Sequence, residues 1–184
     1  MYEIEIKFKV NGKEELINKL RNEFDCSFSD DKIQEDIVFL PSDKAVYPIP
    51  VGLSVIRIRN ENNKKKIVTL KQKQTNKVAA KEIEFVIRGV KKFTEFLESI
   101  NYVEVVRIHK KRITTKYKEF NICIDEVKKL GTIIEIERIS KNKEDIEILE
   151  QEIYDFAKLL GIKIEDKLNN RYDTLIYNLE HPIN

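Results

Sequence analysis

No stretch of this 184-residue chain is long and apolar enough to span a bilayer as a helix, because charged residues interrupt every hydrophobic run. That excludes a helical membrane protein. Cysteine is scarce: Cys26 and Cys123 stand alone, with no neighbouring Cys or His at metal-ligand spacing and too few partners for a disulfide framework. Reduced thiols are expected, and with the absence of an apolar leader before the first charged segment they point to a soluble, cytoplasmic protein. Tryptophan is missing altogether, which removes the largest stacking surface. Only five glycines and four prolines occur, and three of the prolines fall together in PSDKAVYPIP (41–50), so chain breakers are confined to one irregular loop. An excess of one charge is lacking too: 34 Lys plus Arg meet 32 Asp plus Glu, for a net charge of +2. No global field draws in nucleic acid or an anionic membrane, so any electrostatic function is local.

What the chain does have is regular alternation. In MYEIEIKFKV the charges Glu3, Glu5, Lys7 and Lys9 take odd positions while Ile4, Ile6, Phe8 and Val10 take even ones. On a β-strand that gives one oily face and one face mixing acids with bases. Further strands are expected over 33–40, 53–60, 65–74, 80–88, 103–117, 120–127 and 131–139, joined by polar turns at Asn60 to Lys64, Thr75 to Lys77 and Lys128 to Gly131. Amphipathic helices are expected over 13–24, with Leu16, Ile17, Leu20 and Phe24 on one side, and over 90–100, with Phe93, Phe96, Leu97 and Ile100. A longer helix from Lys143 ends at Gly161, and a short one spans 171–179. No repeat, low-complexity tract or linker stands out. The expectation is an α+β single domain over residues 1–184, its eight strands mostly antiparallel and closed into a barrel.

Which way the barrel faces follows from the parity of its charges. Arg57 and Arg59 share a face, as do Glu82 and Glu84, Lys110 and Arg112, and Glu135 and Glu137; Lys71 stands on the fourth strand, and Asp125 lies opposite Ile122 and Ile124. If apolar residues filled the lumen, the helices would have little to cover. If the apolar faces point outward beneath the helices, the charges line a tunnel. An isolated buried ion costs several kcal/mol, so such a tunnel has to be wet or filled. For any single pair a salt bridge suffices. For the whole set, a chain of phosphates with a divalent cation satisfies both signs, since guanidinium and ammonium groups hold phosphate oxygens and clustered carboxylates hold a hard metal.

At this point the ordered motifs resemble those of the CYTH superfamily, the triphosphate tunnel metalloenzymes. Glu3-Ile-Glu5-Ile-Lys7 matches the E-x-E-x-K signature, followed in order by Gln34-Glu-Asp36, Arg57-Ile-Arg59, Thr69-Leu-Lys71, Glu82-Ile-Glu84, Lys110-Lys-Arg112, Asp125-Glu-Val and the segment from Leu130 to Glu137. The resemblance implies an eight-stranded antiparallel tunnel with a charged lumen and outer helices, in agreement with the parity argument. It implies Mg²⁺ or Mn²⁺ on Glu3, Glu5, Glu135 and Glu137, with Asp125 assisting. It implies triphosphate binding by Lys7, Arg57, Arg59, Lys71, Lys110 and Arg112, catalytic roles for Glu5, Lys7 and Glu135, and for Glu82 and Glu84 either the binding of a second metal or the orienting of the basic residues through ion pairs. Two positions depart from the family pattern: Val38 stands before Phe39 where an aromatic pair is common, and Arg171-Tyr172 replaces a Ser-Tyr pair, so no role is carried onto Tyr172.

The implied activity is metal-dependent chemistry on the triphosphate chain of ATP or a related organic triphosphate, as in class IV adenylyl cyclases. The alternatives are a triphosphatase acting on tripolyphosphate, thiamine triphosphate or nucleoside triphosphates, and a non-catalytic polyphosphate-binding module. The same side chains serve the cyclase and the triphosphatase. Nucleic-acid binding through NNKKK or HKKR is disfavoured, because no aromatic residues interleave those runs. His109 and His181 are expected at the surface, and Tyr47 in an ordinary loop. Oligomeric state is not legible.

Overall fold

The computed structural model describes residues 2–45, 47, 49–73, 80–142 and 145–182. The turn expected around Thr75 to Lys77 lies outside the described residues, as does Lys143, the expected start of the long helix. Eight strands and four helices follow the order read from the sequence. They are β1 (Tyr2–Lys9), α1 (Lys13–Phe24), β2 (Lys32–Pro41), β3 (Ser54–Glu61), β4 (Lys65–Lys73), β5 (Ala80–Val86), α2 (Val90–Ser99), β6 (Tyr102–Tyr117), β7 (Phe120–Val127), β8 (Gly131–Ser140), α3 (Ile146–Leu159) and α4 (Tyr172–Glu180). The strands run in the order β1-β8-β7-β6-β2-β3-β4-β5 and pair antiparallel. The expected α+β class and eight-stranded antiparallel sheet are borne out.

The chain divides into two compact units. One comprises residues 1–32 and 111–169, the other 33–110 and 170–184, so the division falls within β6.

In the first unit the alternation read from the sequence is kept. Ile4, Ile6 and Phe8 of β1, Ile122 and Ile124 of β7 and Ile134 and Ile136 of β8 form one buried sheet face. Leu16, Ile17 and Leu20 of α1 and Leu149, Ile153 and Phe156 of α3 cover it. These helices form because their apolar residues recur every three to four positions and need a partner surface. Phe156 stacks on Phe120 with ring centroids 4.6 Å apart. α3 stops where Gly161 takes φ +80, with Gly161 N–H bonding to Lys158 O and Ile162 N–H to Ala157 O, a Schellman closure at the glycine expected to end the helix.

In the second unit Phe39, Ile56, Ile58 and Val68 form the apolar face, and Leu97 and Phe93 of α2 pack on it. The β3–β4 connection, Asn62 to Lys64, places Asn62 and Asn63 at φ +51 and +55, a left-handed backbone that asparagine tolerates well, and the Lys64 N–H bonds to Glu61 O. That turn sets the register in which Arg57 faces Thr69 and Arg59 faces Ile67.

Two features go beyond the simple parity rule. On the charged parity of the second unit Val38, Val55 and Ile67 are buried as well, so its bases sit among apolar neighbours rather than in a uniformly polar lining. And the Tyr172 ring of α4 meets the ammonium of Lys110, on the charged parity of β6.

Candidate functional site

The charged face of the first unit is assembled by the registers of β1, β8 and β7. Glu5 of β1 lies directly across from Glu137 of β8, and Lys7 from Glu135. On the other side of β8, Asn121 faces Glu137 and Cys123 faces Glu135. Two cross-strand rows result, Asn121-Glu137-Glu5 and Cys123-Glu135-Lys7. Lys7 contacts Glu5 and lies 3.6 Å from Glu135. Arg112 of β6 contacts Glu135 and makes a bidentate pair with Asp125, at 2.6 and 2.5 Å.

Asp125 is fully buried, and Arg112 engages both of its oxygens. A bidentate pair of this kind fixes the plane of the guanidinium. Burial alone would weaken the Arg112 charge, but the Asp125 hydrogen bonds and the charges of Glu135 and Asp125 outweigh it and hold the guanidinium firmly protonated.

Glu137 is the perturbed acid. Burial, then the charge and hydrogen bond of Glu3, push its carboxyl up to about 7, against the opposing hydrogen bond from Asn121. Glu3, Glu5, Glu135 and Glu137 offer only hard oxygen donors, the ligand type of Mg²⁺ and Mn²⁺, so the donor set fits a divalent ion. Among the described residues no three acidic, His or Cys side chains are already gathered at coordination distance. Glu5 and Glu135 are instead turned to Lys7 and Arg112.

The second unit gathers bases. Arg59 of β3 donates Nε and Nη2 to the two oxygens of Asp36 on β2, both at 2.7 Å. Arg57 donates Nη2 to the Thr69 hydroxyl at 3.0 Å, and that hydroxyl lies 3.3 Å from Glu84. The Arg57 Nε is buried without a hydrogen-bond partner. Lys71 pairs with Glu82 across β4 and β5. Lys110 of β6 is 6% exposed.

Several cations act on Asp36. Burial raises its carboxyl, but the hydrogen bonds and charge of Arg59, with the charges of Arg57 and Lys110, bring it below the ordinary carboxylate range. Burial and then the Arg59 charge lower the Arg57 pKa, against Asp36, Glu82 and Glu84. A guanidinium with a buried nitrogen left without a hydrogen-bond partner suits an oxyanion.

The structure thus places Glu3, Glu5, Lys7, Arg112, Asp125, Glu135 and Glu137 together in the first unit, and Arg57, Arg59, Lys71, Lys110, Glu82 and Glu84 together in the second. Glu82 and Glu84 orient bases, Glu82 on Lys71 directly and Glu84 on Arg57 through Thr69. Asp36, Thr69, Asn121 and Tyr172 hold assigned residues in place, although no role was read for them in the sequence. Asn121 could have been found from parity, since it alternates with Asp125; Tyr172 had no local signal. His109 is exposed, with Nδ1 3.6 Å from Glu35, as expected of a surface histidine. His181 hydrogen-bonds Tyr177 O and stacks on the Tyr177 ring.

Residues 1–172 match the CYTH domain model. A protein of Methanocaldococcus jannaschii named "Putative adenylate cyclase MJ0240" is 30% identical over 175 residues, covering 94% of this chain and 97% of its own. A solved conserved hypothetical protein from Pyrococcus furiosus is 31% identical, with a TM-score of 0.76 over 94% of this chain and 99% of its own. The Hippeastrum protein HpAC1, named "Putative adenylyl cyclase" and described as having a dominant triphosphatase activity, shares the fold at 16% identity, with a TM-score of 0.66 over 100% of this chain and 98% of its own. Carrying the ordered acid and base motifs on the strands where that domain model runs, the chain belongs to the CYTH family.

Proposed function

We propose that this protein is a cytoplasmic, divalent-metal-dependent enzyme acting on the triphosphate chain of ATP or a related organic triphosphate, in the manner of class IV adenylyl cyclases. The observation that carries this reading is the gathering of Arg57, Arg59, Lys71 and Lys110 in the second unit, where the Arg57 Nε is buried without a hydrogen-bond partner. Clustered guanidinium and ammonium groups suit phosphate oxygens.

In this reading Arg57, Arg59, Lys71 and Lys110 of the second unit and Lys7 and Arg112 of the first bind the phosphate oxygens. Glu3, Glu5, Glu135 and Glu137 hold Mg²⁺ or Mn²⁺, with Asp125 behind them fixing Arg112. The ion, when bound, neutralises phosphate charge and lowers the pKa of an attacking hydroxyl. Lys7 and Arg112 contact Glu135 and carry positive charge to the metal-binding carboxylates. Thr69 and Glu84 hold Arg57 in the plane of the sheet face, and Glu82 restrains Lys71. Phosphoryl and nucleotidyl transfer demand positioning and charge neutralisation above all, and these residues contribute both.

A triphosphatase is the second reading. It is favoured by Val38, which places an aliphatic side chain on the charged parity, 2% exposed, at a position where an aromatic ring could have met an organic group. The fold hosts both names, since HpAC1 is called a cyclase yet is described by a dominant triphosphatase activity. The purified chain is to be incubated with ATP, thiamine triphosphate and inorganic tripolyphosphate under Mg²⁺ or Mn²⁺, and cyclic AMP, pyrophosphate and phosphate measured. Cyclic AMP with equimolar pyrophosphate supports the first reading. Phosphate release without cyclic AMP replaces it with the second, and tight binding without turnover under either metal leaves a non-catalytic module.

A further inference from the structure

We propose that Gln34 and Glu61 form an acceptor row that selects triphosphates whose organic group carries an N–H or O–H donor, with Gln34 Oε1 taking that hydrogen; this rests on the phosphate chain lying along Arg57 and Arg59, as proposed above. Gln34 is 3% exposed. Its Nε2 donates to Glu61 Oε2 at 2.7 Å, while its Oε1 is buried without a hydrogen-bond partner.

The register of the second unit fixes where this oxygen stands. On the charged parity, Val38 faces Arg57, Asp36 faces Arg59 and Gln34 faces Glu61 across β2 and β3, and Lys71 faces Val55 one row earlier. Successive rows on one face are two residues apart, about 7 Å along the strand. Bases therefore occupy three consecutive rows, at Lys71, Arg57 and Arg59. The next row carries a carboxylate and an amide oxygen. It adjoins the β3–β4 connection, where Ile33 N–H donates to Asn62 Oδ1 at 2.7 Å and Asn62 N–H to Ile33 O at 2.8 Å, so the backbone beside both residues is held. The row is closed at Gln34 and opens towards Glu61, which is half-buried, and Lys65 across from it, which is exposed.

The chemistry of the row decides what it takes. The Glu61 carboxylate holds the amide with Nε2 towards it, because the reverse orientation would set oxygen against oxygen. The atom left over is an acceptor. A phosphate oxygen is an acceptor too, and Glu61 repels it, so the phosphate chain finds its partners at the bases and none in this row. A buried acceptor left unpaired is costly, so a ligand that brings an N–H or O–H to it gains over one that does not. Inorganic tripolyphosphate brings neither. The amino group of a base or a hydroxyl of a sugar brings one. Val38, on the same parity, supplies no ring, so the row recognises the organic group by hydrogen bonding in place of stacking.

The test measures binding by calorimetry with Ca²⁺, which takes the same kind of oxygen ligands as Mg²⁺. Wild type is compared with Gln34→Met, which keeps the length of the side chain and removes the amide. The ligands are ATP, tripolyphosphate, the purine riboside triphosphate that lacks the amino group, 2′-deoxyATP and 3′-deoxyATP. Gln34→Met is expected to weaken ATP binding roughly tenfold and to leave tripolyphosphate binding unchanged. On wild type, one of the three analogues is expected to bind roughly tenfold more weakly than ATP and to be insensitive to Gln34→Met. The group it lacks is the donor, which separates a base amine from a sugar hydroxyl.

Equal losses for ATP and tripolyphosphate make Gln34 a structural residue and overturn the proposal. So does a variant that binds ATP like wild type, the oxygen then being served by water. The wild-type comparison stands even if Gln34→Met does not fold: three analogues that all bind like ATP overturn the proposal without it. These results leave the proposed function in place as long as tripolyphosphate binds and Arg59→Ala weakens it. Wild type that binds neither ATP nor tripolyphosphate overturns both.

Discussion

Arg59 and Asp36 face each other across β2 and β3 and close a bidentate pair through two hydrogen bonds of 2.7 Å. Asp36 is 3% exposed, and it is the acid on which the positive charges of Arg59, Arg57 and Lys110 all act. With Glu82 and Glu84, which act on Arg57, this carboxylate offsets the repulsion within the cluster of bases.

Removing that carboxylate should be costly. Asp36→Asn is expected to destabilise the protein by about 3 kcal/mol at pH 7, because it leaves buried cations without their counter-charge. The pH dependence follows from the direction of the shift. The folded Asp36 carboxyl lies below its unfolded value of 3.8, so its stabilisation is complete above that pH and is lost as pH falls through the folded value. Urea titrations at pH 7 and below pH 4 should show the wild type losing its advantage over Asp36→Asn in acid; an equal gap at both would contradict the assignment.

Glu137 should behave in the opposite way. Its folded carboxyl is raised to about 7, so in metal-free protein it costs stability as pH climbs from its unfolded value of 4.5 towards 7. Glu137→Gln in the presence of a chelator is expected to be more stable than wild type by about 1–2 kcal/mol at pH 7.5, after discounting for solvent screening of a half-buried group, with no difference near pH 4.5. Thermal melts across that range decide it. Mg²⁺ should raise the melting temperature of wild type and not of the variant.

Glu5→Ala is expected to abolish metal-dependent turnover while the far-ultraviolet circular dichroism and melting temperature stay near wild type, since it deletes one of several like charges on a crowded face. If the variant keeps full activity and Mn²⁺ affinity, Glu5 is not a metal ligand.

The opposite face of the same strands should respond differently. Ile136 is fully buried beside Ile6 and Ile122, its cross-strand neighbours. Ile136→Ala is expected to cost about 2–5 kcal/mol in chemical denaturation through lost burial and the cavity left behind. Its neighbour Glu137 alternates to the charged face, so adjacent substitutions should have opposite signs.

Arg59→Ala is expected to weaken tripolyphosphate binding roughly 10- to 100-fold, the worth of one or two charge-assisted hydrogen bonds. Arg59→Lys should recover little of this, because an ammonium cannot make the bidentate pair with Asp36. Calorimetry under the same conditions for both variants provides the check.

Much of this was legible in the chain itself. The alternation in Glu3-Ile-Glu5-Ile-Lys7 named which residues go to the oily face, and Ile4 and Ile6 are buried under helices as that alternation requires. The end of α3 at Gly161 and the turn at Asn62-Asn63 were marked by residue types that accept a left-handed backbone. Other features carried no such mark. Val38, Val55 and Ile67 have the same parity as the charges but are buried with them, and no rule based on alternation separates an apolar residue that packs beside a base from one that packs in the core.

The sequence by itself determined the face each strand residue takes, because a period of two is a local property of the extended backbone. Only the tertiary structure decided who meets whom: Asp125 with Arg112, Thr69 with Arg57, and Tyr172, sixty-two residues further along the chain, with Lys110. Such pairings depend on strand register and on where α4 begins. These are fixed by turns and packing summed over many residues, and no single motif encodes them.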